Sequence, residues 1–133
     1  MSSVSLIRCA ELTDRAPYAY ASVAEDVSRL VFTAGACPLD VAGETACVGD
    51  VPGQARQVMA NLATALRAAG AGLGDVVKTT VYVASDRRED LTAAWDVVAE
   101  AFGDHDAPST LLGVSVLGYR DQLVEVEAVA ALR

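Results

Sequence analysis

The residues best suited to chemistry in this chain are Glu125 and Glu127, in the segment Val124-Glu-Val-Glu-Ala128. On a strand their side chains share one face, about 7 Å apart. Left in water, such a pair is solvated or matched to arginine and does little. In a partly dry cleft a carboxylate holds its proton more tightly and can pass it to a substrate or to water, which makes Glu125 the candidate acid-base group. Cys37 follows the strand end Ala34-Gly35, where side chains often line clefts, and is a candidate nucleophile or wall residue, although no base adjoins it in sequence. Lys78 could form a Schiff base if desolvated, but its mid-strand place favours a plain pairing with a carboxylate. His105 is the only histidine, so a multi-histidine metal cluster within one chain is excluded, and its place after a helix is that of an ordinary loop residue. The glycines of Gly70-Ala-Gly-Leu-Gly74 follow a helix and precede a strand, the reverse of the order that aims helix N–H groups at a phosphate. They read as a helix-ending loop, and no metal or cofactor site is expected.

Positioning these groups falls to elements that the hydrophobic pattern marks out. Ser5 to Arg8, Tyr20 to Ala24 and Arg29 to Ala34 read as strands, followed by a loop from Asp40 to Gly49. From residue 51 to 69, Ala55, Val58, Met59, Leu62, Ala65, Leu66 and Ala69 recur at the spacing of one helical face, with Gln54, Gln57, Asn61 and Arg67 opposite. Asp50 can cap that helix, Pro52 is tolerated in its first turn, and Gly70 suits the left-handed position beyond its end. Val76 to Val83 is a strand with Val77, Thr79, Val81 and Val83 on one face and Val76, Lys78, Thr80 and Tyr82 on the other. A second helix, about Glu89 to Phe102, would use Trp95 as a core anchor. Leu111 to Val116 and Gln122 to Leu132 complete the strands.

The order β-β-β-α-β-α-β-β implies a single domain over residues 1–133, a two-layer α/β (α+β) sandwich with both helices on one face of a mixed sheet. The other face is short of polar alternates, and a second copy covering it would resolve that shortage.

Composition narrows the function classes. A net charge of −8 makes nucleic acid an unfavourable partner, because phosphate recognition rests on clustered lysine and arginine. The same balance disfavours anionic membranes. Hydrophobic residues make up 53% of the chain and the mean hydropathy is +0.32, yet no apolar run is long enough to span a bilayer. Arg8, Glu11 and Asp14 interrupt the first fifteen residues, so a signal peptide is not expected and a cytoplasmic location is the default. Cys9, Cys37 and Cys47 suit neither a disulfide framework nor a zinc site.

Taken in order, Pro17-Tyr18, Phe32-Thr-Ala-Gly35 with Pro38-Leu-Asp40, Gln54-Ala-Arg-Gln57, Asn61-Leu62, Ala68-Ala-Gly70, Asp75-Val-Val-Lys-Thr-Thr-Val-Tyr-Val83 and Val124-Glu-Val-Glu-Ala-Val-Ala130 resemble the Rid family, also called the YjgF or reactive intermediate deaminase family. The resemblance covers nearly the whole chain. It implies a chorismate-mutase-like sandwich assembled as a homotrimer, with small-molecule clefts between subunits. It also implies cofactor-free hydrolysis of reactive enamines and imines to ketoacids and ammonia.

In that family the cleft is lined by the tyrosine of Pro-Tyr, the backbone at the strand-ending glycine, an arginine in Pro-x-Arg-Ser, and the first glutamate of Glu-x-Glu-Ala. Tyr18, Gly35 and Glu125 match. Counting back from Val124 without a gap sets Pro108-Ser109-Thr110 on Pro-x-Arg, so Thr110 stands where the arginine would be. A guanidinium grips a carboxylate with two charge-assisted bonds, whereas threonine offers one neutral hydroxyl. Losing one partner of such a pair costs about 2–5 kcal/mol.

Ordinary 2-imino acids are therefore expected to be poor substrates, with Cys37 and Thr110 shaping a changed pocket. Ala36 in place of a common glutamine and Trp95 in place of a common asparagine agree with that change. Two further readings stay open: a noncatalytic module binding a metabolite or protein, and an imine deaminase in which Arg120, from the Gly118-Tyr-Arg turn, supplies the anchor. Endoribonuclease activity, known for some relatives, fits poorly with so acidic a chain.

Overall fold

The computed structural model describes residues 3–133. Six strands and two helices follow in the order β1 (Val4–Ile7), β2 (Ala21–Ala24), β3 (Arg29–Phe32), α1 (Val51–Ala68), β4 (Val76–Val83), α2 (Arg88–Phe102), β5 (Ser109–Gly113) and β6 (Val124–Leu132). A single 3₁₀ turn at Leu73–Asp75 precedes β4. The element order matches the expected one, with one difference in how the strands combine. β1 and β2 form their own antiparallel pair, while the main sheet has four strands in the order β3-β6-β4-β5. Only β4 and β5 run parallel, as the helical crossover between them requires.

Helix α1 begins where Asp50 Oδ1 accepts from Gly53 N–H at 3.0 Å. It ends in a Schellman arrangement, with Ala71 N donating to Leu66 O (2.8 Å), Gly70 N to Arg67 O (3.0 Å), and Gly70 at φ 84°. Ala55, Val58, Met59, Leu62 and Leu66 of α1 pack with Ala94, Val98 and Phe102 of α2 on the sheet residues Val76, Val81, Val83, Val124, Val126, Ala128 and Ala130. Each of these is nearly or completely excluded from water, and their burial is the main term holding the layers together.

Three expectations are corrected. Gln54, placed with the polar face of α1, is fully buried. Its Nε2 donates to Asp121 O (2.9 Å) and Cys47 O (3.4 Å), and its Oε1 accepts from Leu123 N (2.7 Å). The helix thus spends a polar residue on tying two loops together, while Ala65 and Ala69, expected on the apolar face, are exposed. In β4 a register shift between Val76 and Lys78 turns Val76, not Val77, into the core with Thr79, Val81 and Val83. Finally, β5 runs from Ser109 to Gly113, not Leu111 to Val116, because its partner β4 ends at Val83, opposite Gly113.

The sheet face away from the helices is open. Across it stand Leu30 and Phe32, Glu125, Glu127 and Val129, Lys78, Thr80 and Tyr82, and Thr110 and Leu112. Phe32 is 72% exposed and Leu30 56%, so the face that the sequence left short of polar groups does carry uncovered apolar surface.

Candidate active site

The candidate residues fall into two groups, one on the open face and one at the edge strand β5, where Trp95 and Leu111 belong to the helix side of the sheet. The first gathers Gly35, Cys37 and Glu125. After β3 the chain stays beside β6 through a two-bond bridge, Ala36 N to Val126 O (2.7 Å) and Val126 N to Ala36 O (3.2 Å). This sets Gly35 directly against the Glu125 side chain. A β-carbon at Gly35 would fall inside the carboxylate, so any other residue there would push the Glu125 side chain from its place. Asn61 of α1 pins the following segment, its Nδ2 donating to Cys37 O (2.8 Å) and Leu39 O (2.9 Å).

Glu125 itself is half-buried. Its Oε1 accepts from Gln122 Nε2 at 3.1 Å and from the Cys37 thiol at 3.4 Å. Gln122 is buried and anchored at both ends of its amide, with Nε2 also reaching Val124 O and Oε1 taking Tyr119 N–H. It holds the carboxylate from behind. Sequence reading missed this role because residues three apart on an extended strand point to opposite faces; Asp121, at φ 62°, folds Gln122 back toward Glu125.

Burial and the neighbouring Glu125 carboxylate push the Cys37 thiol up to about 11 from its ordinary 9.0. At neutral pH it is a protonated donor to Glu125, which counts against the nucleophile reading and for the wall reading. Glu127, on the same face, accepts from Tyr82 Oη at 2.8 Å, and that bond, with some burial, raises the Tyr82 phenol above its ordinary value.

The second group lies across β4. Tyr18, Trp95 and Thr110, with Pro17, Ser109 and Leu111, line a cleft of about 460 Å³. Tyr18 sits edge-to-face with both Trp95 (centroids 6.2 Å apart) and Tyr20 (6.1 Å). Trp95 packs on the core but also forms a wall of this cleft, so it is more than the interior anchor expected. Lys78 is likewise not paired with a carboxylate as expected: its Nζ donates to Thr110 Oγ1 at 2.7 Å.

Within one chain the two groups stay apart, since Thr110 and Glu125 are separated by two strand spacings and one row, roughly 12 Å. Arg120 stands on the Glu125 side in an exposed turn, its carbonyl accepting from Thr45 Oγ1 at 2.7 Å. His105 serves structure, with Nε2 2.8 Å from Val76 O. Among the described residues no set of three or more histidine, cysteine, aspartate or glutamate side chains is gathered as a metal site. Among the same residues no helix is long and apolar enough to cross a membrane.

Two helices on one face of a mixed sheet, with Glu125 and Glu127 on the other, define a two-layer α+β sandwich of the kind seen in Rid and YjgF structures. The chain belongs to the family described as Endoribonuclease L-PSP, the Rid or YjgF family, whose model matches residues 10–132. It is 37% identical over 114 residues to a RutC family protein of Pyrococcus horikoshii, covering 86% of each chain. It is 35% identical over 130 residues to the 2-iminobutanoate/2-iminopropanoate deaminase of Salmonella typhimurium, covering 91% of this chain and 95% of that one. Among solved structures, the conserved Rid family protein YyfB of Yersinia pestis superposes with a TM-score of 0.88 at 29% identity, over 98% of this chain and 99% of that one. Escherichia coli TdcF with bound serine gives 0.68 at 30% identity, over 89% and 90%.

Proposed function

We propose that this protein is a cytoplasmic homotrimer that hydrolyses a small reactive enamine or imine, or acts on a related carbonyl compound, in clefts between subunits. The observation that carries the reading is the Glu125 carboxylate, pressed on the Gly35 backbone and held by Gln122 at the rim of an uncovered sheet face. The deaminase relatives and the serine held by TdcF support small nitrogen compounds as the substrate class. The endoribonuclease description is not carried over, because a chain of net charge −8 has little to offer a phosphate backbone.

The chemistry asks for water and one proton carrier. Glu125 takes a proton from water as the water oxygen adds to the imine carbon, and the C=N electron pair moves to nitrogen. Glu125 returns that proton to nitrogen, giving a carbinolamine, then takes the remaining hydroxyl proton and passes it to the same nitrogen as the C–N bond breaks, giving a ketone and ammonia. Gly35 leaves room for the reacting atoms, and Tyr18, Cys37 and Thr110 shape the pocket. A trimer would bring the Tyr18-Thr110 group of one chain to the Gly35-Glu125 group of the next, which resolves their separation within a chain.

Since Thr110 lacks a guanidinium fork, turnover of 2-iminopropanoate is expected to be weak. The test measures ammonia release from freshly generated imines by wild type and by Glu125→Gln. Loss of about 100-fold or more in the variant is expected for a general acid-base residue. Unchanged turnover in Glu125→Gln removes Glu125 from the reaction, and no turnover of any imine, enamine or small carbonyl compound by the wild type favours a noncatalytic binding module.

A further inference from the structure

Among the described residues, the hydrogen bonds that Glu125 accepts all fall on one oxygen. Oε1 takes Gln122 Nε2 at 3.1 Å and the Cys37 thiol at 3.4 Å, which fills both of its lone pairs. Oε2 lies against Gly35, where the missing β-carbon leaves it room. Tyr82, which stands opposite Glu125 on β4, gives its phenol proton to Glu127 instead. The two oxygens of one carboxylate are thus unequal: Oε1 is held and Oε2 is free.

The hold is stiff. Gln122 is only 4% exposed, and its amide can point one way only, since Oε1 takes Tyr119 N–H at 3.0 Å while Nε2 gives one proton to Val124 O at 3.1 Å. Its second amide proton is then aimed at Glu125. The Cys37 thiol has a single proton and two acceptors at 3.4 Å, Gly35 O and Glu125 Oε1, of which the charged oxygen is the stronger. Asn61 of α1 fixes the Cys37 backbone. Neither group is itself a proton carrier: an amide does not ionise, and the thiol keeps its proton well above neutral pH.

We infer that Gln122 and Cys37 are positioning residues for Glu125, locking Oε1 so that proton transfer runs through Oε2, the oxygen on the Gly35 side. The inference rests on the reaction proposed above and assigns its geometry: water is deprotonated at Oε2, and the same oxygen hands the proton to nitrogen. A carboxylate free to turn would present either oxygen and lose the alignment that one fixed acceptor gives.

The experiment measures kcat and KM for the full-length protein with freshly generated 2-iminobutanoate and propan-1-imine as probes. Cys37→Ala is expected to lower kcat about tenfold at unchanged KM, and Cys37→Ser, whose hydroxyl still donates, to restore most of that loss. Gln122→Glu keeps the size of the side chain and an acceptor for Tyr119 N–H but turns an oxygen toward Oε1, and should lower kcat by about 100-fold. If Gln122→Glu does not fold, the two Cys37 variants decide. A readout independent of turnover is the infrared S–H stretch of Cys37 in a Cys9→Ser, Cys47→Ser background. It should lie at lower frequency than in the same protein with Glu125→Gln, because a charged acceptor weakens the S–H bond more than an amide does.

Unchanged kcat in Cys37→Ala and Gln122→Glu, a loss that falls on KM, Cys37→Ser as impaired as Cys37→Ala, or an S–H band indifferent to Glu125→Gln would each overturn the inference. Its failure is separable from that of the reaction. Turnover that Glu125→Gln abolishes while Cys37→Ala and Gln122→Glu keep the wild-type kcat removes the positioning role and leaves the reaction. A wild type inactive on both probes counts against the reaction itself and takes the positioning role with it, even where the S–H band moves.

Discussion

Glu125 and Cys37 show how two groups at 3.4 Å set each other's chemistry. Burial is the largest cause of the raised thiol, and the carboxylate, as acceptor and as like charge, adds to it. Because the folded value, about 11, lies above the ordinary 9.0, the neutral thiol is favoured by folding below pH 9, and that advantage is lost as pH rises through 11. Alkylation by iodoacetamide follows the thiolate fraction, so labelling of Cys37 should stay slow through pH 9 and rise only near 11. In Glu125→Gln the midpoint should fall, but not all the way, since burial persists. Site-resolved mass spectrometry of labelling rate against pH checks this, and a wild-type midpoint at the ordinary value would contradict the contact. Little of this was legible beforehand. The sequence placed Cys37 at a strand end and Glu125 on a face, but their meeting depends on the Ala36-Val126 bridge, a pairing across some ninety residues.

At the scale of elements, the strongly periodic segments were legible and the tertiary uses of polar side chains were not. The i, i+3, i+4 pattern of α1, its Asp50 cap and its Gly70 terminus appear as read, because they follow from local sequence alone. Gln54 was misread because its type argues for solvent, whereas its amide supplies the missing backbone partners of two turns. The bulge in β4 reversed the facing of Val76 and Val77 for a similar reason: strict alternation has no way to register an extra residue. Gln54 gives the element-scale prediction. Gln54→Leu keeps roughly the volume but leaves Asp121 O and Leu123 N–H without their partner. It should cost about 2–4 kcal/mol, read as a lowered midpoint in urea at unchanged slope. Since the 121–123 turn also carries Gln122, the same variant should loosen Glu125 and lower any imine turnover. A midpoint equal to wild type would show that the amide does not hold the two turns.

For the whole molecule, the question is what covers the open sheet face. Phe32, at 72% exposure, pairs with Val129 on the same face, and Leu30 and Leu112 extend the apolar surface on either side. A lone molecule gains nothing from leaving these in water, and a chain with its two half-sites about 12 Å apart cannot place one small substrate against both. Three copies related by a closed ring would answer both needs, with the same patch buried three times and three complete clefts made. Light scattering on a sizing column should then give about 41 kDa, three times the 13.8 kDa chain. Phe32→Glu puts a charge in the covered patch and is expected to release monomer with native far-ultraviolet circular dichroism, since Phe32 lies outside the helix-packed core. If the clefts are shared, that monomer should also lose turnover although Glu125, Gln122 and Gly35 are untouched. Monomeric wild type at micromolar concentration, or a Phe32→Glu monomer as active as the parent, would mean that each chain completes its site alone.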